Sequence, residues 1–281
     1  MIEVLVAGMA TTVQDRGRPG WAHLGVGRSG AADVGAHALA NRLVGNAEGL
    51  AALETSGGLV LRCVAPALVA VTGAPAPLTI VGGPALGYGH AHVLPAGATL
   101  TVGVPRAGLR TYVAVRGGID VAPVLGSRSR DTLGQIGPSV RAGDVLPIGA
   151  DPGTPITGDV APARPAGDVV GVLPGWRRDW FAAGAWALLC GQPYTVGNDV
   201  DRVGCRLAGA RPLERVVTDE LPSEGLVLGA VQVPPDGQPI VMLADHPTTG
   251  GYPVIAVVDD ASLGVVAQAR PGDTLHLRPG R

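Results

Sequence analysis

With 281 residues, 46% of them hydrophobic and only 16% charged, the chain can bury a sizeable core and is not a disordered segment. A formal net charge of −2, with basic residues spread along the chain, argues against nucleic acid or an anionic membrane surface as a partner, and the single Phe argues against a base-stacking platform. All 21 basic residues are arginine, which excludes a Schiff-base lysine, a Walker A loop and a covalently attached biotin on this chain.

The N-terminus, Met1-Ile2-Glu3-Val4, carries an acid and lacks the basic start of a signal peptide. Apolar stretches such as Ala182 to Leu189 are too short to span a bilayer, so a cytoplasmic protein is expected. Short runs rich in Val, Ile, Leu and Thr follow in order: Glu3–Ala7, Leu59–Val64, Leu68–Thr72, Leu78–Val81, Thr99–Val104, Thr111–Val115, Val169–Leu173, Val227–Val233, Ile240–Leu243, Val254–Val258 and Thr274–Leu277. Turn signals recur between them, drawn from 44 glycines and 25 prolines, which is the pattern of an all-β barrel or sandwich. Three segments break it: Ala31–Val44 after Ser29 as N-cap, Trp176–Ala183, and Asp259–Gln268 with its acids at the start. The fold expected is therefore mainly β with a few short helices. A β-rich subdomain over 1–150, with its helix near 31–44, is followed by a Pro/Gly-rich linker over 151–165 and a second β-rich subdomain over 166–281.

Several motifs are weak. Gly25-Val26-Gly27-Arg28-Ser29-Gly30 matches G-x-G-x-x-G, but no strand precedes it, so a tight turn feeding the helix is expected. His90-Ala91-His92 has no further ligand nearby and reads as a strand pair, and the acids of Asn198–Gly204 lack the spacing of an EF-hand; no metal site is expected. Cys63, Cys190 and Cys205 are odd in number and widely spaced, as buried apolar residues of a reducing compartment would be.

Two segments carry more. Gly8–Gly20 contains Thr11-Thr12-Val13-Gln14-Asp15-Arg16-Gly17-Arg18, and Ala244–Pro253 contains Asp245 followed by Thr248-Thr249-Gly250-Gly251-Tyr252. Each combines a Thr-Thr pair, a carboxylate and glycines that let a backbone approach a ligand. They read as two walls of one small-molecule site, or else as surface turns. Asp245 ends an apolar run, where a strand would deliver a carboxylate to a site edge and the turn would surround it with N–H donors; its alternative role is to cap that turn. Asn198 and Arg202 are candidates for a carboxylate or phosphate contact.

The chain resembles a known family. The residues that carry the likeness include Thr11–Arg18, Ser29-Gly30-Ala31-Ala32-Asp33, Ala40–Asn46, Leu53-Glu54, Arg116–Asp120, Leu125-Gly126-Ser127-Arg128-Ser129, Asp201–Gly204, Gly229–Gly237 and Thr248–Pro253. Together they are similar to the C-type subunit of bacterial ATP-dependent 5-oxoprolinase, also called allophanate hydrolase subunit 2. The family is similar in turn to half of the carboxyltransferase domain of biotin-dependent urea carboxylase, and to the antagonist of a kinase inhibitor that controls sporulation.

The resemblance implies a cyclophilin-like β-barrel architecture and a hydrolase that works as a hetero-oligomer with a subunit-B-like protein and a third, subunit-A-like one. The complex opens a small amide, 5-oxoproline to glutamate, at the expense of ATP. Carboxyl transfer from a biotin carried by another chain, and regulatory binding of a kinase inhibitor, are the rival implications. In the first reading Asp245 and Asp15 are the catalytic carboxylates. Gln14, Arg16 and Arg18 line one wall, and Gln232, Thr248, Thr249 and Tyr252 the other. The family usually has Arg-Gln where this chain has His246-Pro247, Lys at Val254 and Met at Val203, so positive charge is lost beside the Thr-Thr-Gly-Gly loop.

Overall fold

A computed structural model describes residues 1–156, 158, 160–161 and 167–280. The chain is mainly β, and it divides into two compact units. The first takes in Met1–Arg18, Ser29–Asp131 and the described part of 135–165; the second takes in Pro19–Arg28, Thr132–Gly134 and residues 167–280. The stretch expected as a linker lies partly outside the described residues. Within it, Arg116 donates to the Asp151 carboxylate and to the Thr154 carbonyl, each at 2.8 Å.

The first unit contains β1 (Ile2–Val6), β2 (Thr12–Gln14), α1 (Val34–Leu43), β3 (Ala52–Thr55), β4 (Leu59–Cys63), β5 (Ala67–Gly73), β6 (Leu78–Ile80), β7 (Ala91–Leu94), β8 (Thr99–Val102), β9 (Thr111–Val115) and β10 (Val145–Leu146). One sheet runs β10-β1-β4-β8-β6 and the other β2-β3-β9-β5-β7. Strand periodicity gives the second sheet two different faces. Val13, Leu53, Val69, Val71, Val113 and Val115 pack with Ile2, Val4, Leu59, Leu61, Leu100 and Val102 of the first sheet in one core. Ala52, Ala70, Tyr112 and Ala114 point the other way, where they meet Ala40 and Leu43 of α1 and Val44 just beyond it. The small alanines on that face let the helix lie close to the sheet.

The second unit contains β11 (Val169–Pro174), a 3₁₀ turn at Arg178–Trp180, α2 (Ala185–Gly191), β12 (Pro193–Val200), β13 (Gly204–Gly209), β14 (Glu224–Gly225), β15 (Ala230–Gln232), β16 (Ile240–Met242), β17 (Thr249–Gly250), β18 (Val254–Val258), α3 (Leu263–Gln268) and β19 (Thr274–Pro279). Seven strands close a barrel in the order β11-β18-β15-β16-β13-β12-β19, and β14 pairs with β17 apart from it. A parallel β11–β19 pairing completes the ring, and closure leaves no barrel strand with an unpaired edge. Val170, Val172, Val196, Leu207, Val231, Val241, Val258, Leu275 and Leu277 form its core, while Ile240 and Met242 turn toward a smaller cluster with Leu226 and Val254. Among the described residues no helix is long and apolar enough to cross a membrane.

Three expected helices shift. The first begins at Val34, not Ala31, because Asp33 caps it: its Oδ1 accepts from the Ala36 N–H at 3.0 Å. Ser29 has φ 54° and its Oγ donates to the Arg130 carbonyl instead. Trp176–Ala183 is not a helix. Only one 3₁₀ turn forms, because Val216 donates to the Trp180 carbonyl and Ala182 to the Glu214 carbonyl, drawing the chain into a bridge at Phe181. The helix, α2, comes after Gly184. The third begins at Leu263, with Asp259 Oδ1 accepting from the Ser262 N–H one turn earlier. Cys63 and Cys205 are buried, Cys190 is half-buried, and all three are free thiols. Burial pushes the Cys63 and Cys190 thiols up.

A buried polar cluster fastens α1 to the sheet. Tyr112 and Glu54 are cross-strand partners, and the tyrosine hydroxyl donates to Glu54 Oε2 at 2.8 Å while accepting from the Asp33 N–H at 2.8 Å. Glu54 also accepts from the Ala32 N–H at 3.0 Å and faces the Arg110 guanidinium at 3.5 Å. Burial, and then the neighbouring carboxylates, hold the Tyr112 phenol far above its ordinary value, so it stays a donor. His37 of α1 packs edge-on against Tyr112 and faces the Gln14 carbonyl through Nε2 at 3.0 Å. A carbonyl only accepts, so that nitrogen carries the proton. Burial drives the His37 pKa down, against the opposing pull of that bond and of Glu54.

Two outcomes follow from this cluster. Tyr112→Phe should lose about 1–3 kcal/mol in urea unfolding, the cost of leaving buried partners unsatisfied. His37 is neutral when folded, so the unfolded chain binds its proton first as pH falls. Its stabilisation is complete above about 6.5, the unfolded value, and declines toward its lower folded value. Urea midpoints between pH 7.5 and 5 should fall less steeply for His37→Gln, which keeps a donor for the Gln14 carbonyl, than for the parent chain.

Candidate functional site

The expected site residues fall into one group in each unit. In the first, Gln14 ends β2 and Asp15, Arg16 and Arg18 follow it. The Asp15 carboxylate gathers a loop around itself: Oδ1 accepts from Gly17 N–H at 2.7 Å, Ser127 Oγ at 2.6 Å and Ser129 Oγ at 2.5 Å, and Oδ2 from Arg128 N–H at 2.7 Å. The Asp15 N–H returns a bond to Ser129 Oγ at 2.9 Å. Gln14 is fully buried and its amide donates to Thr12 Oγ1 and to the Arg130 carbonyl, both at 2.9 Å. Arg18 is buried and donates to the carbonyls of Val124 and Ser129. Gly30, at φ 100°, lies so close to this strand end that a Cβ there would sit 2.9 Å from the Gly17 nitrogen. Arg16 is exposed, and its partner is Glu48 at 3.2 Å.

In the second unit, Arg202 and Asp245 meet. Asp245 lies just past β16 and Arg202 in the turn from β12 to β13, and the two turns exchange backbone bonds: Asp245 N–H to the Arg202 carbonyl and Leu243 N–H to the Val203 carbonyl. Arg202 grips Asp245 with two prongs, Nε to Oδ2 at 2.9 Å and Nη2 to Oδ1 at 3.0 Å. Thr132 adds its N–H at 2.8 Å and its hydroxyl at 2.7 Å to Oδ2. Both charged side chains are out of solvent, 6% and 0% exposed. The donors expected from the Thr248–Gly251 turn thus have counterparts in Thr132 and Arg202, because the backbone pairing of the two turns aims the carboxylate at them. Held in this way, Asp245 is built as an anchor for the 132–134 loop.

The remaining residues of that group form a layer above. Gln232, buried at the end of β15, donates to the Tyr252 carbonyl at 2.9 Å. The Thr248 carbonyl accepts from Leu226, and Thr249 pairs with Gly225. A Cβ on Gly250 would approach the Gln232 amide nitrogen to 2.8 Å and the Leu226 Cδ1 to 2.7 Å, so a side chain there would have to push those two side-chain ends aside. Thr249 and Tyr252 are left exposed and Thr248 partly so. Asn198 is exposed on β12 beside an irregularity in its register. His246 is buried with Nδ1 2.7 Å from the Pro247 carbonyl. Sequence reasoning left Thr132, Ser127 and Ser129 out of the site. The Ser-x-Ser spacing was a usable signal, but Thr132 is 113 residues from its acceptor and carried none.

No group of three or more His, Cys, Asp or Glu residues is placed to hold a metal among the described residues. His92 Nε2 instead lies 2.7 Å from the Gly87 carbonyl.

Breaking the buried pair should be costly. Asp245→Asn leaves the Arg202 guanidinium buried against a neutral amide, and urea unfolding should show a loss of about 3–5 kcal/mol. Replacing both partners, Arg202→Met with Asp245→Leu, should recover a large part of that loss, since neither charge then remains buried alone.

A model for the carboxyltransferase domain, subdomain A and B, matches residues 24–279. The chain is 38% identical over 281 residues to the C-type subunit of 5-oxoprolinase from Escherichia coli (strain K12), covering 98% of this chain and 90% of that protein. It is 30% identical to the urea amidolyase of Saccharomyces cerevisiae, covering 99% of this chain but 16% of that one. The crystal structure of TTHA0988 superposes with a TM-score of 0.88 at 38% identity, over 98% of this chain and 55% of that chain, so this chain spans little more than half of it. Its barrel, its strand-rich first unit and these matches agree: the chain belongs to the carboxyltransferase-domain family, subdomain A and B, that includes the C-type 5-oxoprolinase subunits.

Proposed function

We propose that this chain is the C-type subunit of an ATP-dependent, 5-oxoprolinase-like complex that acts in the cytoplasm with a subunit-B-like and a subunit-A-like partner. The observation that carries this is coverage: the match to the Escherichia coli subunit runs over 98% of this chain and 90% of the relative. The reaction adds water across a lactam, breaks its C–N bond and leaves the ring nitrogen as the amine of glutamate.

Asp15 and Asp245 then act as positioning residues. Asp15 fixes Ser127–Ser129, and Asp245 with Arg202 fixes Thr132, so these loops are rigid before substrate arrives. Substrate contact falls to groups that remain open. In the second unit these are the Tyr252 and Thr249 hydroxyls. ATP supplies the driving force and is held by a partner. This chain has no lysine for a phosphate loop, and the Gly25–Gly30 stretch follows a 3₁₀ turn at Ala22–Leu24, not a strand.

A second reading is carboxyl transfer to urea or a similar amide, favoured by the family model's own description and by the urea amidolyase match over 99% of this chain. Biotin would then ride on another chain, since no lysine is present here to carry it.

Reconstitution separates the readings. With subunit-B-like and subunit-A-like partners, 5-oxoproline should stimulate ATP hydrolysis and release glutamate, and omission of this chain should abolish both. Urea-dependent, biotin-dependent turnover without 5-oxoproline turnover would replace the first reading by the second. Tyr252→Phe should lower kcat/KM about 10-fold with an unchanged melting temperature, the scale of one lost polar contact to substrate. The chain alone should bind Mg-ATP no more tightly than about 1 mM in calorimetry.

A further inference from the structure

The exposed Thr249 and Tyr252 flank two glycines, Gly250 and Gly251, whose backbone is the least restrained kind a turn can have. The two ends of this stretch are tied down: the Leu226 N–H donates to the Thr248 carbonyl at 2.9 Å, and the Gln232 amide to the Tyr252 carbonyl at 2.9 Å. Between those ends the support is β14, where Gly225 lies opposite Thr249 and Glu224 opposite Gly250. This ladder of two residues on each side stands apart from the seven barrel strands, and a ribbon so short is marginal by itself.

The Glu224 side chain connects this ladder to the barrel. Its Oε2 accepts from the Trp176 indole at 2.9 Å, and its Oε1 accepts from the Arg177 guanidinium. Both donors belong to the segment just after β11, which is bonded to strand β18 through its backbone. The Gly175 N–H donates to the Ile255 carbonyl at 2.9 Å and the Arg177 N–H to the Val254 carbonyl at 3.1 Å. Gly175 is pressed against that strand, since a Cβ there would come within 2.4 Å of the Val254 carbonyl oxygen.

We infer that Glu224 is a positioning residue for the substrate site: by fastening β14 to the Trp176–Arg177 segment, it sets where the Thr249 and Tyr252 hydroxyls stand. The inference rests on the function proposed above, in which those hydroxyls meet the substrate. Both Glu224 oxygens are needed, because two donors face them separately. A glutamine has one oxygen, so its NH2 is turned toward one donor and leaves that donor without an acceptor. The Arg177–Glu224 pair is partly exposed, so it adds little to global stability. Its effect is local. With the tie broken, the Gly-Gly stretch is held less firmly, and substrate must order it on binding. That loss falls on affinity, so KM rises while kcat holds.

A double-mutant cycle in the assembled complex tests the inference. Glu224→Gln should raise KM for 5-oxoproline about 5-fold or more with kcat within about 2-fold, and Glu224→Asp, which keeps both oxygens, should lose less. In a Tyr252→Phe background Glu224→Gln should cost no more than about 2-fold further, because its effect is carried by the turn that holds Tyr252. Hydrogen exchange on the whole chain without substrate gives a second readout. In Glu224→Gln the amides of 224–226 and 249–250 should exchange about 10-fold faster, with β12 and β13 unchanged. A parental KM in Glu224→Gln, fully multiplicative losses in the pair, or unchanged exchange in the ladder would overturn the inference. A parent complex inert toward 5-oxoproline would instead sink the function proposed above; the same cycle is then read on urea-dependent turnover, and the same outcomes decide it.

Discussion

A carboxylate moved out of water keeps its charge only if donors surround both oxygens, and this requirement organises the loops of the chain. Glu54 collects Tyr112, the Ala32 N–H and Arg110. Asp15 collects Gly17, Ser127, Arg128 and Ser129. Asp245 collects Arg202 and Thr132. In each case at least one donor comes from a segment distant in sequence, so the acid converts otherwise irregular chain into a fixed shape. A sheet or barrel alone specifies its strands; these three groups specify what lies at the strand ends.

The arginine-only composition suits this use. A guanidinium is a rigid fork that answers both oxygens of a carboxylate at once, as Arg202 does for Asp245. A lysine ammonium would satisfy one direction and leave the other oxygen short of a donor. The Tyr252 and Thr249 side chains, by contrast, remain exposed.

The two units solve the problem of sheet edges differently. The first stacks two open sheets and covers the outer face of one with α1, for which alanines at 52, 70 and 114 make room. The second closes seven strands on themselves and needs no cover. Its short helix α2 and the 3₁₀ turn before it lie against the barrel core, and there the aromatic residues gather.

Local sequence was sufficient for the β-rich class and for most strands. Short continuous runs rich in β-branched residues, such as Thr111–Val115 and Val254–Val258, coincide with strands that are buried on both faces or nearly so. The Gln14–Arg18 and Thr248–Tyr252 segments were recognisable because glycine, threonine and acid concentrate there, and the family likeness followed from the same residues. Partners across long loops were not recognisable. Nothing in Thr132 marks it as the donor to a carboxylate 113 positions away, and nothing in Asp245 tells whether its oxygens face a substrate or an arginine. The helix expected at Trp176–Ala183 failed for the same reason: the Trp180 carbonyl and the Ala182 N–H were taken by residues 214–216, which the local pattern does not contain. Chain-local periodicity sets what each segment tends to become. Which buried charge is neutralised by which distant group depends on the tertiary structure: the register of β13 on β16 brings Arg202 to Asp245, and the path of the 132–134 loop adds Thr132.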